Sequence, residues 1–168
     1  MKYIQSEDYL CFATLLEMVF NDIGVQKYTR FDIAEDLGIT LPLRAKGFLK
    51  RAHYSDDEFE WGIKVSSESL NAYLKKNGIN LWAQYIRVTP YTMLEDEVRK
   101  WNQSYVIFLF SYGELIGDSK FEEVGHAALF INMFDSSKIC IYDPGPDASG
   151  KKNIDCYCLE NAMYKRRA

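Results

Sequence analysis

The chain has 168 residues, 48% hydrophobic and 15% aromatic, and a formal net charge of −4. That length suits a single domain over 1–168, able to bury about 70% of its unfolded surface without disulfides. Both charge signs are mixed along the chain with no basic stripe, which argues against nucleic acid as a partner. The longest apolar run, "YVIFLF", is too short to cross a bilayer, so no membrane partner is expected.

Phe12, Leu15, Leu16, Val19, Phe20 and Ile23 recur at helical spacing and predict one buried stripe, with Gly24 as the stop. "YTRFDIAEDLG" predicts a short helix with Thr29 as its cap, Asp32 three residues on, Tyr28 and Ile33 stapling its entry, and Gly38 at its end. "HYSDDEFE" reads as an exposed acidic loop and "WGIKV" as a short strand. "SSESLNAYLKKNG" is a serine-capped helix, and "INLWAQYIRV" alternates as a strand does. "YTMLEDEVRKWNQ" has helical spacing. "SYVIFLF" reads as a strand buried on both faces, and "SYGELIGDSKFEEVG" as a polar loop. "HAALFINMF" and "KICIYD" are two strands joined by the turn "DSS". After a loop, "NIDCYC" reads as the last strand and "LENAMYKRR" as a frayed terminal helix with a solvated basic end. Helices come first and strands later, which is an α+β layout with one helical layer packed on a mainly antiparallel twisted sheet. Phe48, Trp61, Trp82 and the tyrosines either line a groove or fill the core, and core is the favoured reading.

No basic region followed by an apolar stretch and a cleavage site opens the chain, so a cytoplasmic location is expected. Export without a cleavable signal, as an effector, stays open. Cys11, Cys140, Cys156 and Cys158 are then reduced thiols. Cys156 and Cys158 would face one side of a strand with no second ligand pair nearby, so no metal or other cofactor is expected.

Four residues could carry chemistry. Cys11 begins the first helix, where it is either a small core residue or a nucleophile at the positive end of the helix dipole. Glu7 and Asp8 lie just upstream and either oppose that effect or cap backbone amides. Of the two histidines, His53 sits in a charged surface stretch. His126 opens an apolar strand, as a paired strand-end residue or as a general base. Asp143 ends the following strand at an Asp–Pro turn. The hairpin makes His126 and Asp143 cross-strand neighbours, about 4.5–5.5 Å apart at Cβ if directly paired. A carboxylate there could hold one imidazole nitrogen while the other faces a nucleophile. Gln5 could donate its side-chain amide to an oxyanion, with the Cys11 backbone N–H as a second donor.

Gln5, Cys11, His126 and Asp143, in that order, resemble the papain-like cysteine peptidases. The resemblance is nearest to the small bacterial branch whose peptidase domains cut bacteriocin leaders after double-glycine. There too a glutamine precedes the cysteine by six residues and an apolar helix follows, as in "CFATLLEMVF". A histidine-led strand is followed by a strand ending in Asp–Pro, as in "GHAALFINMFDSSKICIYDPGP". The resemblance implies a papain-like fold, Cys11 as nucleophile, His126 as base and then acid, Asp143 as orienter and Gln5 as oxyanion donor. Phe12 departs from the family, which usually has glycine or tryptophan after the cysteine. The leader peptidases are generally fused to a transporter and none follows within 168 residues, so leader processing is not carried over.

The expected function is a thiol-dependent amide hydrolase or acyl transferase acting on a peptide or small amide. Phe12, Glu7 and Asp8 motivate the alternative of an inactive papain-like domain kept as a binding module. A plain α+β domain with a buried Cys11 is the third reading. Nothing in the pattern speaks to oligomeric state.

Overall fold

The first helix, α1, spans Cys11–Asp22 and is the centre of one hydrophobic core. Ala13, Leu15, Leu16, Met18, Val19 and Phe20 are all buried, so its apolar surface is wider than the expected stripe, while Ile23 at its end is exposed. The structure, a computed structural model, describes residues 1–89, 92–101, 103–121, 124–146 and 149–165. Parts of the stretches read above as a helix from Tyr91, as the polar loop before His126, as the loop after Asp143 and as a basic C-terminal end therefore lie outside the described residues.

Helix α2 (Arg30–Asp36) forms where the cap pattern places it. Thr29 accepts from the Asp32 N–H, the Asp32 carboxylate accepts from the Thr29 N–H, and Gly38 leaves the helix at φ +76°. Strand β1 (Thr40–Pro42) pairs in parallel with β2 (His53–Ser55), so the start of the supposed acidic loop is a strand. Its acidic part, 56–60, is exposed as expected. "WGIKV" contributes only one bridge, Gly62 to Thr40. Helix α3 (Ser67–Lys76) carries the expected serine cap, with Ser66 and Ser69 in a reciprocal capping box.

The alternating segment 79–88, expected as a strand, joins no sheet. Three of its backbone groups bond to α3 side chains instead. Asn71 exchanges two 2.8 Å hydrogen bonds with the N–H and carbonyl of Ala83, and the Tyr85 N–H donates to Ser67 Oγ at 2.7 Å. Trp82, expected in the core, is 81% exposed there, and Phe48 is exposed as well.

Helix α4 (Leu94–Lys100) leads to a four-stranded antiparallel sheet in the order β3 (Ile107–Ser111), β4 (Gly125–Met133), β5 (Lys138–Asp143) and β6 (Gly150–Asp155). Between β3 and β4, part of the expected loop is a short helix, α5 (Tyr112–Ile116). Ser111 accepts the Glu114 N–H at its start, and Gly117 stops it at φ +70°. The final strand ends one residue before Cys156. Asp155 accepts the N–H groups of Tyr157 and Cys158, so α6 (Cys156–Lys165) starts at the first cysteine, and both cysteines lie on a helix rather than a strand. Far from frayed, α6 buries Leu159 and Ala162 and packs on β3, α4 and α5.

Alternation along the strands assigns the two faces of this sheet. Ile107, Leu109, Ala127, Leu129 and Tyr142 join the α1 core, whereas Phe108, Phe110, Ala128, Phe130, Ile139 and Ile141 join a second core beneath α4 and α6. The architecture is α+β with helices on both faces of the antiparallel sheet, not on one. The reason is that β3–β5 are apolar on both faces, and a sheet buried on both sides needs cover on both.

The β4–β5 ladder contains a bulge. Asn132 pairs with Cys140, but Phe130 pairs with Ile141, which leaves Ile131 as the extra residue. A one-residue shift exchanges the faces of every residue beyond it, so the bulge decides which side of the sheet Asp143 shares with β4.

Candidate active site

Cys11 is the first residue of α1 and is half-buried. The N-cap is Leu10, whose side chain cannot accept a hydrogen bond, so neither Glu7 nor Asp8 caps this helix. Glu7 is turned to Arg30, which binds it through Nε and, at 2.6 Å, through Nη2. Its charge is thereby neutralised locally, and the carboxyl is held below its usual range by that guanidinium. Tyr9, two residues before the sulfur, is the one non-glycine residue at positive φ (+67°) among the described residues. Such a conformation costs about 1–3 kcal/mol in a bulky residue and persists where the surroundings hold it. Phe12 is half-buried against the α1 core.

His126 is the second residue of β4, with its side chain 13% exposed. It lies opposite Phe110 in the β3 ladder, and the Phe110 and Tyr112 rings pack on the imidazole at 5.5 and 5.2 Å. Nε2 lies 2.7 Å from Oδ1 of Asp143, which leaves Nδ1 for the Cys11 sulfur, with which the imidazole is hydrogen-bonded.

Asp143 is 5% exposed, so its charge requires partners. Oδ1 accepts from His126 and, at 2.8 Å, from the Gly145 N–H, and Oδ2 accepts from Lys152 Nζ at 2.5 Å. His126 and Asp143 are not directly opposed, as the hairpin argument expected. Continuing the register beyond Leu129–Tyr142 puts Asp143 opposite Ala128, with His126 the diagonal neighbour on the same face. Without the bulge at Ile131, Asp143 would fall opposite Leu129 and point to the other face from His126.

These contacts set the protonation states. At Cys11, burial opposes a charge on the sulfur. The imidazole of His126 and the backbone N–H groups of Ala127 and Phe12 outweigh it and lower the thiol below its ordinary value. At His126, burial favours the neutral ring, but Asp143 and the Cys11 thiolate prevail and push it up to about 9. Burial would raise Asp143, yet His126, Lys152 and the Gly145 N–H hold it well below the carboxylate range. The arrangement favours a thiolate–imidazolium pair backed by an ionised carboxylate.

Gln5 is exposed and lies against the loop after Asp143. Its amide donates to the Pro146 carbonyl, and the neighbouring Ser6 N–H donates to the Pro144 carbonyl at 2.7 Å. That use leaves one of its two amide hydrogens. His53 is exposed on β2, as expected of a surface histidine. Cys140 is buried, Cys156 is half-buried with its thiol pushed up by burial and nearby carboxylates, and Cys158 is exposed. Among the described residues, no group of three or more His, Cys, Asp or Glu side chains is placed to hold a metal ion, and no helix is long and apolar enough to cross a membrane.

Sequence reasoning missed Lys152 and Gly145. Lys152 pairs with Ile141 in the β5–β6 ladder, so it reaches Asp143 on the diagonal, a position visible only once the register is known. Gly145 follows an Asp–Pro pair and reads as turn chemistry. A Cβ there would stand 3.0 Å from Asp143 Oδ1 and 3.6 Å from His126 Cε1. Comparison with protein-family models, curated proteins and solved structures finds no match to this chain, so the reading of the site rests on its geometry.

Proposed function

We propose that this protein is a thiol-dependent amide hydrolase or acyl transferase of papain-like plan, acting on a peptide or small amide. The observation that carries the proposal is the unbroken chain from Cys11 through His126 to Asp143, set at a helix N-terminus with the thiol lowered and the imidazole raised. The Cys11 thiolate attacks the carbonyl carbon and its electron pair moves to the oxygen. The backbone N–H of Cys11 and the remaining amide hydrogen of Gln5 are the donors assigned to that oxyanion. His126, already protonated, gives its proton to the leaving amine as the C–N bond breaks. Water or a second amine, deprotonated by His126, then attacks the thioester carbonyl, the C–S bond breaks, and the thiolate–imidazolium pair is restored. Asp143 stays ionised throughout and holds the ring by Nε2.

The test is site-resolved alkylation of the four cysteines by iodoacetamide between pH 4 and 9, in the native protein and in His126→Ala. Cys11 is expected to react well below pH 8, and the variant to lose that rate by about 10²-fold or more. A native Cys11 that reacts no faster than the exposed Cys158 defeats the proposal.

A further inference from the structure

Three residues distant in sequence converge just ahead of the nucleophile. Arg44 Nη2 donates to the Tyr9 hydroxyl at 2.8 Å, the Arg44 guanidinium lies 5.0 Å over the Trp61 ring, and the Tyr9 and Trp61 rings meet edge to face at 6.1 Å. Each member is fixed from elsewhere. Trp61 Nε1 donates to the Ser55 carbonyl at 2.9 Å. Thr40 and Gly62 exchange two backbone hydrogen bonds, of 3.0 and 2.8 Å, which tie the strand before Arg44 to the residue after Trp61. Tyr9 is held in its left-handed conformation at φ +67°.

Arg44 is exposed, yet it is not the usual swinging surface cation. A hydroxyl and an indole face hold its orientation while its other N–H groups are left for a ligand. Among the described residues no carboxylate pairs with it, whereas Arg30 and Arg51 each carry two and Arg99 carries one. The acidic run 56–60 precedes Trp61, but none of its carboxylates pairs with Arg44, and Asp57 accepts the Phe59 N–H within its own turn. A planar guanidinium presented in this way fits a carboxylate.

We propose that Arg44, braced by Tyr9 and Trp61, is an anion-selecting subsite of the Cys11 site that takes a carboxylate of the substrate. The proposal rests on the reading of Cys11 as the nucleophile. One residue, Leu10, separates Tyr9 from Cys11, so their Cα atoms are at most about 7 Å apart, and the guanidinium sits at the far end of the Tyr9 ring. The carboxylate selected is carried on an acidic side chain or at a chain end of the substrate.

Three matched electrophiles test this: iodoacetyl-glutamate α-amide, with an acidic side chain; iodoacetyl-glutamine, with a free terminal carboxylate; and iodoacetyl-glutamine α-amide, which is neutral. Each is made with and without one glycine spacer. Cys11 Sγ forms a bond to the methylene carbon and iodide leaves, and the rate is read at Cys11 by peptide mass spectrometry. In the native protein at least one anionic probe should react about fivefold faster than the neutral one, and 0.5 M salt should reduce the ratio. Which anionic probe is preferred separates the side-chain carboxylate from the chain end. Arg44→Gln should bring the ratio, taken within each protein, down by the same fivefold, and Arg44→Lys should retain part of it. An anionic-to-neutral ratio equal in the native protein and Arg44→Gln overturns the proposal. Slow iodoacetamide reaction at Cys11 in the native protein is a separate failure, that of the nucleophile reading, because the charge ratio is measurable at any rate.

Discussion

His126 Nε2 and Asp143 Oδ1 are 2.7 Å apart although the two residues are not partners in the ladder. Their contact is diagonal, and it exists because β4 carries one more residue than β5 between Phe130 and Asn132. Asp143→Asn keeps the shape and removes the charge. The Cys11 alkylation rate at pH 7 should fall by about 10²-fold or more, and the alkaline limb of the pH profile should move down from about 9. An unchanged profile would show that Asp143 does not act on the ring.

The same pair links stability to pH. His126 titrates at about 9 in the fold against 6.5 for a free imidazole. Its contribution is therefore fully present below about pH 6.5 and is lost as pH rises through about 9. Asp143 behaves oppositely: its lowered pKa contributes above the usual carboxylate range and is lost as pH falls toward the depressed value. Urea unfolding of the native protein and His126→Ala should show a stability margin at pH 6 that narrows by pH 10. A margin constant over that range would contradict the raised imidazole.

Lys152 shares Asp143 with His126. Lys152→Met removes one of two cations from a buried carboxylate. It should lower stability by about 1–3 kcal/mol, read as urea midpoint and slope. It also leaves the whole carboxylate charge to the imidazole, so the alkaline limb of Cys11 alkylation should move upward. Lys152→Arg should keep the limb near its native place, an outcome that lost packing alone would not produce.

Gly145→Ala tests the close approach behind the ring. The new methyl would meet Asp143 Oδ1 at 3.0 Å, closer than most such contacts, and the carboxylate would have to shift. The Cys11 rate should fall about tenfold with the far-ultraviolet dichroism unchanged, as expected when the carboxylate that holds the imidazole moves by a fraction of an ångström. A native rate would show that the carboxylate has room.

The α+β class, the cap of α2, the cap of α3 and the positions of β3, β4 and β5 were legible because local chemistry dictates them. Thr29 and Asp32 close a capping box between neighbours in the chain, and apolar strands bounded by turns need no distant partner to be recognised. Segment 79–88 was misread because its alternation is real but its partner is not a strand. Asn71 and Ser67 supply hydrogen bonds to Ala83 and Tyr85 in place of a neighbouring strand there. The second helical layer was missed because α6 was placed too late. The Asp155 cap that starts it competes with a strand pattern running to Cys158.

The sequence by itself determined which residues could carry chemistry: a cysteine at the start of an apolar helix, a histidine opening a strand, an aspartate closing the next and a glutamine upstream. Only the tertiary structure decided that Cys11, His126 and Asp143 meet, that Lys152 and Gly145 join them, and that Glu7 is occupied by Arg30. The physical reason is register. Side chains alternate across a sheet, so one bulged residue at Ile131 determines whether Asp143 shares a face with His126 or lies behind it, and no local pattern in either strand encodes that choice.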